Sequence, residues 1–143
     1  MKLFWFIFIV VTLAVVLRWV VVPNLSTTPS TLGTVDGTLR PCPAGSQRCA
    51  FASESMTLPA DLAMTRVRAA LASMPGVTID TDSGSYLHAI ARTRVMGFID
   101  DVEIAIDADS SVLQLRSASR LGKLDFGKNA DRLREIGRKT GPV

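Results

Sequence analysis

The chain has 143 residues, enough for one small domain and an anchor, and its formal net charge is +3. Lys2 and Arg18 belong to a strongly apolar first segment, which leaves 14 basic against 13 acidic residues beyond residue 22. Nucleic-acid binding needs a clustered basic face and stacking aromatic rings, and aromatics make up only 6% of this chain. We therefore exclude a nucleic-acid partner.

Residues 3–22 form an apolar run of twenty residues with one charge, that of Arg18. A helix of this length spans about 30 Å, the thickness of the hydrocarbon core of a bilayer. Trp5 and Trp19 lie near its two ends, where amphipathic rings prefer the membrane interface, and the Arg18 side chain can reach the headgroups. The sequence predicts a transmembrane anchor over residues 1–22 that contacts the lipid bilayer. A cleaved signal peptide is the alternative, but no A-x-A-like cleavage site follows the run.

The charges around this segment indicate its orientation. Lys2 precedes the apolar run, and residues 19–35 carry no charge, which favours a cytoplasmic N-terminus. We therefore predict a single-pass protein of the inner (cytoplasmic) membrane, with its soluble domain on the periplasmic or outer side.

Residues 23–57 are rich in Pro, Ser, Thr and Gly and show neither helical nor strand periodicity, so they predict a linker. The linker contains a loop, PCPAGSQRC, bounded by the only two cysteines, Cys42 and Cys49. Six residues separate these cysteines, more than in a redox C-x-x-C motif. A disulfide is the expected state in an oxidising compartment, and metal-binding or redox-active thiols are the alternative.

Residues 58–143 predict a small α+β domain made of a helix, an antiparallel sheet of three or four strands, and a C-terminal helix. The first helix is expected over residues 58–74, where apolar residues recur at helical spacing. The last helix is expected over residues 129–139, with Asn129 as its N-cap. A short strand is expected at residues 77–80.

Three longer strands are expected over residues 86–95, 98–107 and 112–120, because apolar and polar residues alternate in each. Met96 and Gly97 fit a two-residue hairpin turn between the first two of these strands.

These turns predict which charged residues oppose each other across the sheet. Two pairs of opposite charge fall on the face turned away from the core: Arg92 with Asp101, and Glu103 with Arg116. We interpret them as exposed structural pairs that fix the register, each worth at most about 1 kcal/mol.

The same outer face is a candidate interaction surface. Its arginines outnumber its acids, which suits an anionic small molecule or lipid. The surface comprises Arg92, Arg94, Asp101, Glu103, Arg116 and Arg120.

Catalytic and metal sites are weaker alternatives. Asp100 points to the opposite face from Asp101 and Glu103, which disfavours a cation site made of the three carboxylates. A hydrolase would need the single histidine, His88, together with a serine such as Ser117, and no nucleophile-elbow motif is present. We assign no catalytic residue, no metal ligand and no cofactor.

Four segments, PCPAGSQRCA, SYLHAIARTRVMGFIDDVEIAID, RSASRLGKLDFGKN and DRLREI, resemble the domain of unknown function family numbered 1499. The resemblance runs over residues 41–136. The family pattern places an arginine directly after the asparagine, whereas Ala130 and Asp131 intervene here before Arg132. The resemblance implies the domain and leaves its activity open.

The function that we expect is that of a non-enzymatic, single-pass membrane protein. Its exported domain would serve as an interaction module or accessory subunit of a larger membrane complex, with a membrane-protein partner. The alternative is a membrane-tethered binder of an anionic small molecule or lipid through the arginine-rich face, and a hydrolase is a distant third.

Overall fold

The computed structural model describes residues 2–22, 27–107 and 109–142. An apolar N-terminal helix is followed by an α+β domain, as the sequence predicts. The domain has two helices, α2 (Ala60–Ala72) and α3 (Lys128–Thr140). Its seven strands are β1 (Thr34–Val35), β2 (Thr38–Leu39), β3 (Cys49–Ser55), β4 (Val77–Asp82), β5 (Tyr86–Arg92), β6 (Ile99–Asp107) and β7 (Val112–Ser119).

The N-terminal helix α1 spans Lys2–Val16 and continues as a π-helical turn over Leu17–Val21. Together they form a twenty-residue helix with a mean hydropathy of 2.5, and none of it is buried against the domain. Its length and composition are those of a membrane span, and a signal sequence has the same features.

The five longer strands form one antiparallel sheet in the order β3-β7-β6-β5-β4. Helices α2 and α3 contact each other and cover one face of this sheet. Most of the alternating strand residues predicted to point inward are buried there against the apolar stripe of α2, but Val95 lies beyond the end of β5 and is exposed. The largest fully buried side chains of this core, from the strands and from both helices, are Met64, Leu71, Leu87, Ile104, Leu113, Leu115 and Ile136.

Strand β3 is the first correction to the sequence prediction. It lies within residues 23–57, the segment predicted as a linker, and it pairs with β7 along its whole length. Its core-facing positions are Ala50 and Ala52, which pack only partly against the core. Because these residues are small and the positions between them are mixed, the alternation is too weak to predict a strand. The predicted count of three or four strands was therefore too low.

The turn between β5 and β6 is the second correction. Thr93 N–H donates to the Phe98 carbonyl at 2.9 Å, so four residues, 94–97, close this hairpin in place of the predicted two. The longer turn shifts the register by two residues, which keeps every side chain on its predicted face. Asp101 consequently opposes Ile90 and not Arg92.

The hairpin between β6 and β7 has the predicted register. Ile106 opposes Leu113, and Glu103 opposes Arg116. Turn residues at 109–111 connect the two strands.

The second face of the sheet is covered by residues 27–40, which we call the strap. The strap contains the small β1–β2 hairpin, and β2 packs against β6 and β7. Its backbone is fastened to polar side chains of the sheet: Leu39 N–H donates to Gln114 Oε1 at 2.8 Å, and Gly33 N–H donates to Glu103 Oε1 at 2.7 Å. The face predicted to be exposed is therefore buried over much of its area.

The N-terminus of α3 is capped by a different residue from the one predicted. Asp125 accepts hydrogen bonds from the backbone N–H groups of Gly127 at 2.8 Å and Asn129 at 3.0 Å. Asn129 is instead fully buried and binds β7 with its side chain. Because α3 begins at Lys128, Asn129 is its second residue and its side-chain amide lies inside the domain. Asp125 caps the helix instead.

Candidate functional site

A buried ion pair lies at the centre of the face covered by the strap. Arg116 Nη1 donates to Glu103 Oε2 at 2.5 Å, and only 7% and 1% of the two residues are exposed. The other carboxylate oxygen, Oε1, accepts from the Gly33 N–H and from the Tyr86 hydroxyl at 3.0 Å. Burial and the nearby Glu103 charge raise the pKa of Tyr86, which keeps its hydroxyl protonated as a donor. The predicted pairing is confirmed, but its predicted exposure is wrong.

A second chain of polar groups lies beside this pair. His88 Nδ1 is 3.1 Å from Asp80 Oδ2, and His88 Nε2 is 2.8 Å from Asp101 Oδ1. Arg120 binds the Asp101 carboxylate with two nitrogens, at 2.9 Å to Oδ2 and 2.7 Å to Oδ1. These contacts join the four groups into one continuous network. His88 and Asp101 are buried within it, and the network ends at the exposed Asp80.

The charge of His88 is set by a competition between burial and its partners. Burial disfavours the imidazolium, but the hydrogen bonds with Asp101 and Asp80 outweigh it and raise the pKa of His88 above its ordinary value. Burial also disfavours the charged form of Asp101. The hydrogen bonds from His88 and Arg120 outweigh this effect, so the pKa of Asp101 is lowered. The network is therefore held together by opposite charges under the strap.

We predict that the stability of the protein falls as the pH rises through the pKa of His88. Because this pKa is higher in the folded than in the unfolded state, His88 stabilises the fold fully below about pH 6.5 and loses that contribution as the pH passes the folded value. Thermal unfolding of the full chain in detergent micelles measures the slope against pH. The variant His88→Gln should lose that slope.

The histidine signal itself gives an independent check. His88 is the only histidine in the chain, so its ring proton resonance can be titrated by NMR without an assignment problem. A folded-state pKa at or below the ordinary value of about 6.5 would contradict the pairing with two carboxylates.

The six residues predicted as one interaction face do not act together. Arg116 and Arg120 are paired with the buried carboxylates of Glu103 and Asp101. Arg92, the last residue of β5, and Arg94, in the loop that follows, are exposed. The four arginines therefore do not form one continuous exposed surface.

The predicted alternatives for a metal site and a hydrolase are not assembled in the described residues either. Asp100 lies on the helix side of the sheet, where it binds Arg132 at 2.7 Å, and no group of three or more potential metal ligands occurs in residues 2–22, 27–107 and 109–142. Ser117 donates to Asn129 on the same helix side, whereas His88 faces the strap. The sheet therefore separates the predicted serine from the histidine that would have to activate it.

An apolar pocket that the sequence did not predict lies at one end of the sheet. It occupies about 350 Å³ between the β5–β6 loop and the loop from β7 to α3. Val95 and Phe126 are 79% and 80% exposed at this end, and Phe98 and Leu124 are about half exposed. The lining also contains two basic residues, Arg94 and Lys128, and two acidic residues, Asp100 and Asp125. We call these residues, with Met96 and Leu121, the loop pocket.

The loop pocket lies beside the end of the apolar helix. Arg18 Nη1 donates to the carbonyl oxygens of Arg94 and Val95, each at 2.6 Å, and the Arg18 guanidinium stacks on the Trp19 ring at 5.4 Å from its centroid. Gly97, which has a left-handed φ of 71°, brings the loop backbone close to the Arg18 side chain. The pocket thus opens next to the predicted membrane-interface residues Arg18 and Trp19, while Trp5 is exposed near the other end of the helix.

The cysteines form the predicted disulfide, Cys42–Cys49, with a Cα–Cα distance of 5.7 Å. The loop that it closes reaches the β7–α3 loop: Asp125 N–H donates to the Gln47 carbonyl at 3.1 Å. The disulfide therefore links Cys42, just beyond the strap, to the first residue of β3, and the loop that it closes contacts the β7–α3 loop.

Comparison with known families identifies the family of the domain. The family model described as "Protein of unknown function (DUF1499)" matches residues 24–139, which is most of the chain and extends beyond the 41–136 of the sequence resemblance. A comparison with curated proteins finds no match. The resemblance inferred from the four sequence segments is therefore confirmed.

Proposed function

From the premise that the chain belongs to the DUF1499 family, a family of unknown function, we propose that the protein is a non-enzymatic, membrane-anchored interaction module that binds an anionic membrane lipid in its loop pocket. The observation that carries the proposal is the contact of Arg18 with Arg94 and Val95. This contact brings the exposed apolar side chains of the loop pocket to the end of the apolar helix.

The size and lining of the loop pocket support a lipid. Its volume of about 350 Å³ is within the range of about 300–1,000 Å³ that is usual for small-molecule sites, and its lining is mostly apolar. Exposed apolar side chains as numerous as these mark a surface with a partner. Next to a bilayer, acyl chains are the apolar partner at highest local concentration.

The charges at the pocket support an anionic headgroup. Arg94 and Lys128 line the pocket, and neither forms a salt bridge with a described residue. The two acids in the lining are already engaged, because Asp100 binds Arg132 and Asp125 caps α3. The cationic side chains therefore remain for a phosphate group.

The location that we propose is the cytoplasmic membrane, crossed once by residues 2–21, with the domain on the periplasmic or outer side. The disulfide supports export, because disulfides persist in oxidising compartments. The twenty-residue apolar helix supports an anchor.

The test of this function is photocrosslinking in nanodiscs that contain the full chain and a phosphatidylglycerol with a diazirine in its acyl chain. We expect crosslinks within residues 93–98 and 121–128 in addition to the apolar helix. The substitution Phe98→Ser should reduce the loop crosslinks by about tenfold, since removing an aromatic ring from an apolar pocket costs roughly 1.5 kcal/mol.

A matched control is available on the same domain. Phe51 is exposed to the same degree as Phe98, 40% for each, but lies on β3 away from the loop pocket. Phe51→Ser should leave the loop crosslinks unchanged. Crosslinks confined to residues 2–21, or an equal loss in the two variants, would overturn the lipid proposal.

An accessory subunit of a membrane complex is the second candidate, because Val95 and Phe126 project almost fully into solvent, as side chains that insert into another protein do. A photoreactive phenylalanine analogue at position 126, used in native membranes, separates the two. Saturable capture of a single membrane protein, abolished by Val95→Ser and unaffected by Phe51→Ser, would replace the lipid with that protein partner.

A further inference from the structure

A small cavity of about 150 Å³ lies between the strap, the disulfide loop and the buried ion pairs. Its wall includes three arginines, Arg48, Arg116 and Arg120, with Asp101 as an acidic residue and Cys49 of the disulfide beside them. It is distinct from the loop pocket, and the function proposed above makes no use of it.

Arg116 has a hydrogen-bonding group in this region that nothing in the described chain satisfies. Its Nη1 binds Glu103, but its Nε–H is fully buried and has no partner. A buried donor left in this state costs about 1–3 kcal/mol, so such groups are normally paired with a ligand, an ion or a water molecule. The unsatisfied Nε–H of Arg116 therefore indicates that a ligand, an ion or a water molecule occupies the cavity.

The charges at the cavity indicate which occupant. Asp101 is shared by Arg120 and His88, and Glu103 is held by Arg116, so both acids are neutralised. The Arg48 side chain donates to the carbonyl oxygens of Ser119 and Arg120, at 3.2 Å and 3.1 Å, and forms no salt bridge in the described residues. One guanidinium charge is left without an acid.

We propose that this cavity is a binding site for a small oxyanion, a carboxylate or a phosphate, held by Arg48 and by the Nε–H of Arg116. A guanidinium donates hydrogen bonds to oxyanions with matching planar geometry. The cavity is large enough: one water molecule occupies about 30 Å³ of liquid, so 150 Å³ accommodates an anion of four or five heavy atoms. The anion completes the charge balance and the hydrogen bonding of the buried face under the strap.

The test uses the full chain in detergent micelles, labelled with ¹⁵N-arginine, and titrated separately with inorganic phosphate and with acetate at constant ionic strength. We expect the Nε–H resonance of Arg116 to shift and to saturate with one of the two anions. Arg48→Gln should weaken the binding by about tenfold, because it removes one charge-assisted hydrogen-bonding group.

The control is Arg66→Gln, which removes an exposed arginine of α2 on the other side of the sheet. It should bind the anion as the unaltered protein does, which separates a local effect of Arg48 from the change in net charge. An Arg116 resonance that does not shift, or shifts without saturating, overturns the proposal, as does equal binding by the two variants. Cross-relaxation of that Nε–H with water alone, unchanged by either anion, would mean that the cavity holds only water.

Discussion

Replacing Arg116 by methionine is expected to lower the free energy of unfolding by about 3–5 kcal/mol, because it leaves the Glu103 carboxylate buried without its cation. An exposed pair would lose at most about 1 kcal/mol, so the size of the effect distinguishes the two environments. Gly33 N–H and the Tyr86 hydroxyl still donate to Glu103 in the variant, which favours the lower end of the range. Chemical denaturation of the full chain in detergent micelles, followed by circular dichroism, measures the loss in the free energy of unfolding.

The double variant Arg116→Met with Glu103→Leu tests the cause of that loss. Removing both charges eliminates the uncompensated carboxylate, so most of the stability should return. The matched control is Arg134→Met, which breaks the exposed salt bridge with Asp131 on α3 and should cost less than about 0.5 kcal/mol. A loss for Arg116→Met as small as that of Arg134→Met would mean that the strap does not cover the pair in solution.

The alternation of apolar residues was sufficient to predict most of the domain. It assigned Leu87, Val102 and Leu115 to the core face and Glu103 and Arg116 to the other, and all five lie on those faces. Side-chain alternation determines the face of a residue, but it says nothing of whether that face meets solvent. The second face is buried by a separate segment.

The strap could not be predicted from composition. It has few apolar side chains, and Leu39 is the fully buried one. Its attachment depends on backbone N–H groups, such as that of Gly33, meeting side-chain acceptors on the sheet. A backbone donor is present at every residue except proline, so the sequence carries no specific signal for such contacts. The strap therefore has the composition of a linker, although it covers the buried ion pairs on the second face of the sheet.

The first hairpin illustrates a related limit. Turns of two and of four residues place the same side chains on the same faces, because a register shift of two preserves the alternation. Only the identity of the opposing residues changes, which is why the predicted pair of Arg92 and Asp101 does not form. The loop pocket cannot be predicted for the same reason: the alternation places Val95 in a strand, whereas the strand ends at Arg92 and Val95 projects from the loop.

Removing the disulfide by Cys42→Ser with Cys49→Ser is expected to lower the free energy of unfolding by about 2–3 kcal/mol, since the bond closes a loop of about eight residues in the unfolded chain. The bond joins the end of the strap to the first residue of β3, so the loss should be accompanied by faster amide hydrogen exchange in residues 33–40. Ser46→Ala, in the same loop, should change the stability by less than about 0.5 kcal/mol.

Reduction provides the internal control for this prediction. The unaltered protein with a reducing agent should fall to the stability of the double serine variant, and the double variant should not respond to the reducing agent at all. The pair of measurements separates the loss of the covalent bond from any effect of the serine hydroxyls. If reduction leaves the stability of the unaltered protein unchanged, the strap is held by its contacts with Gln114 and Glu103 alone, and the disulfide is not needed to keep the buried charges covered.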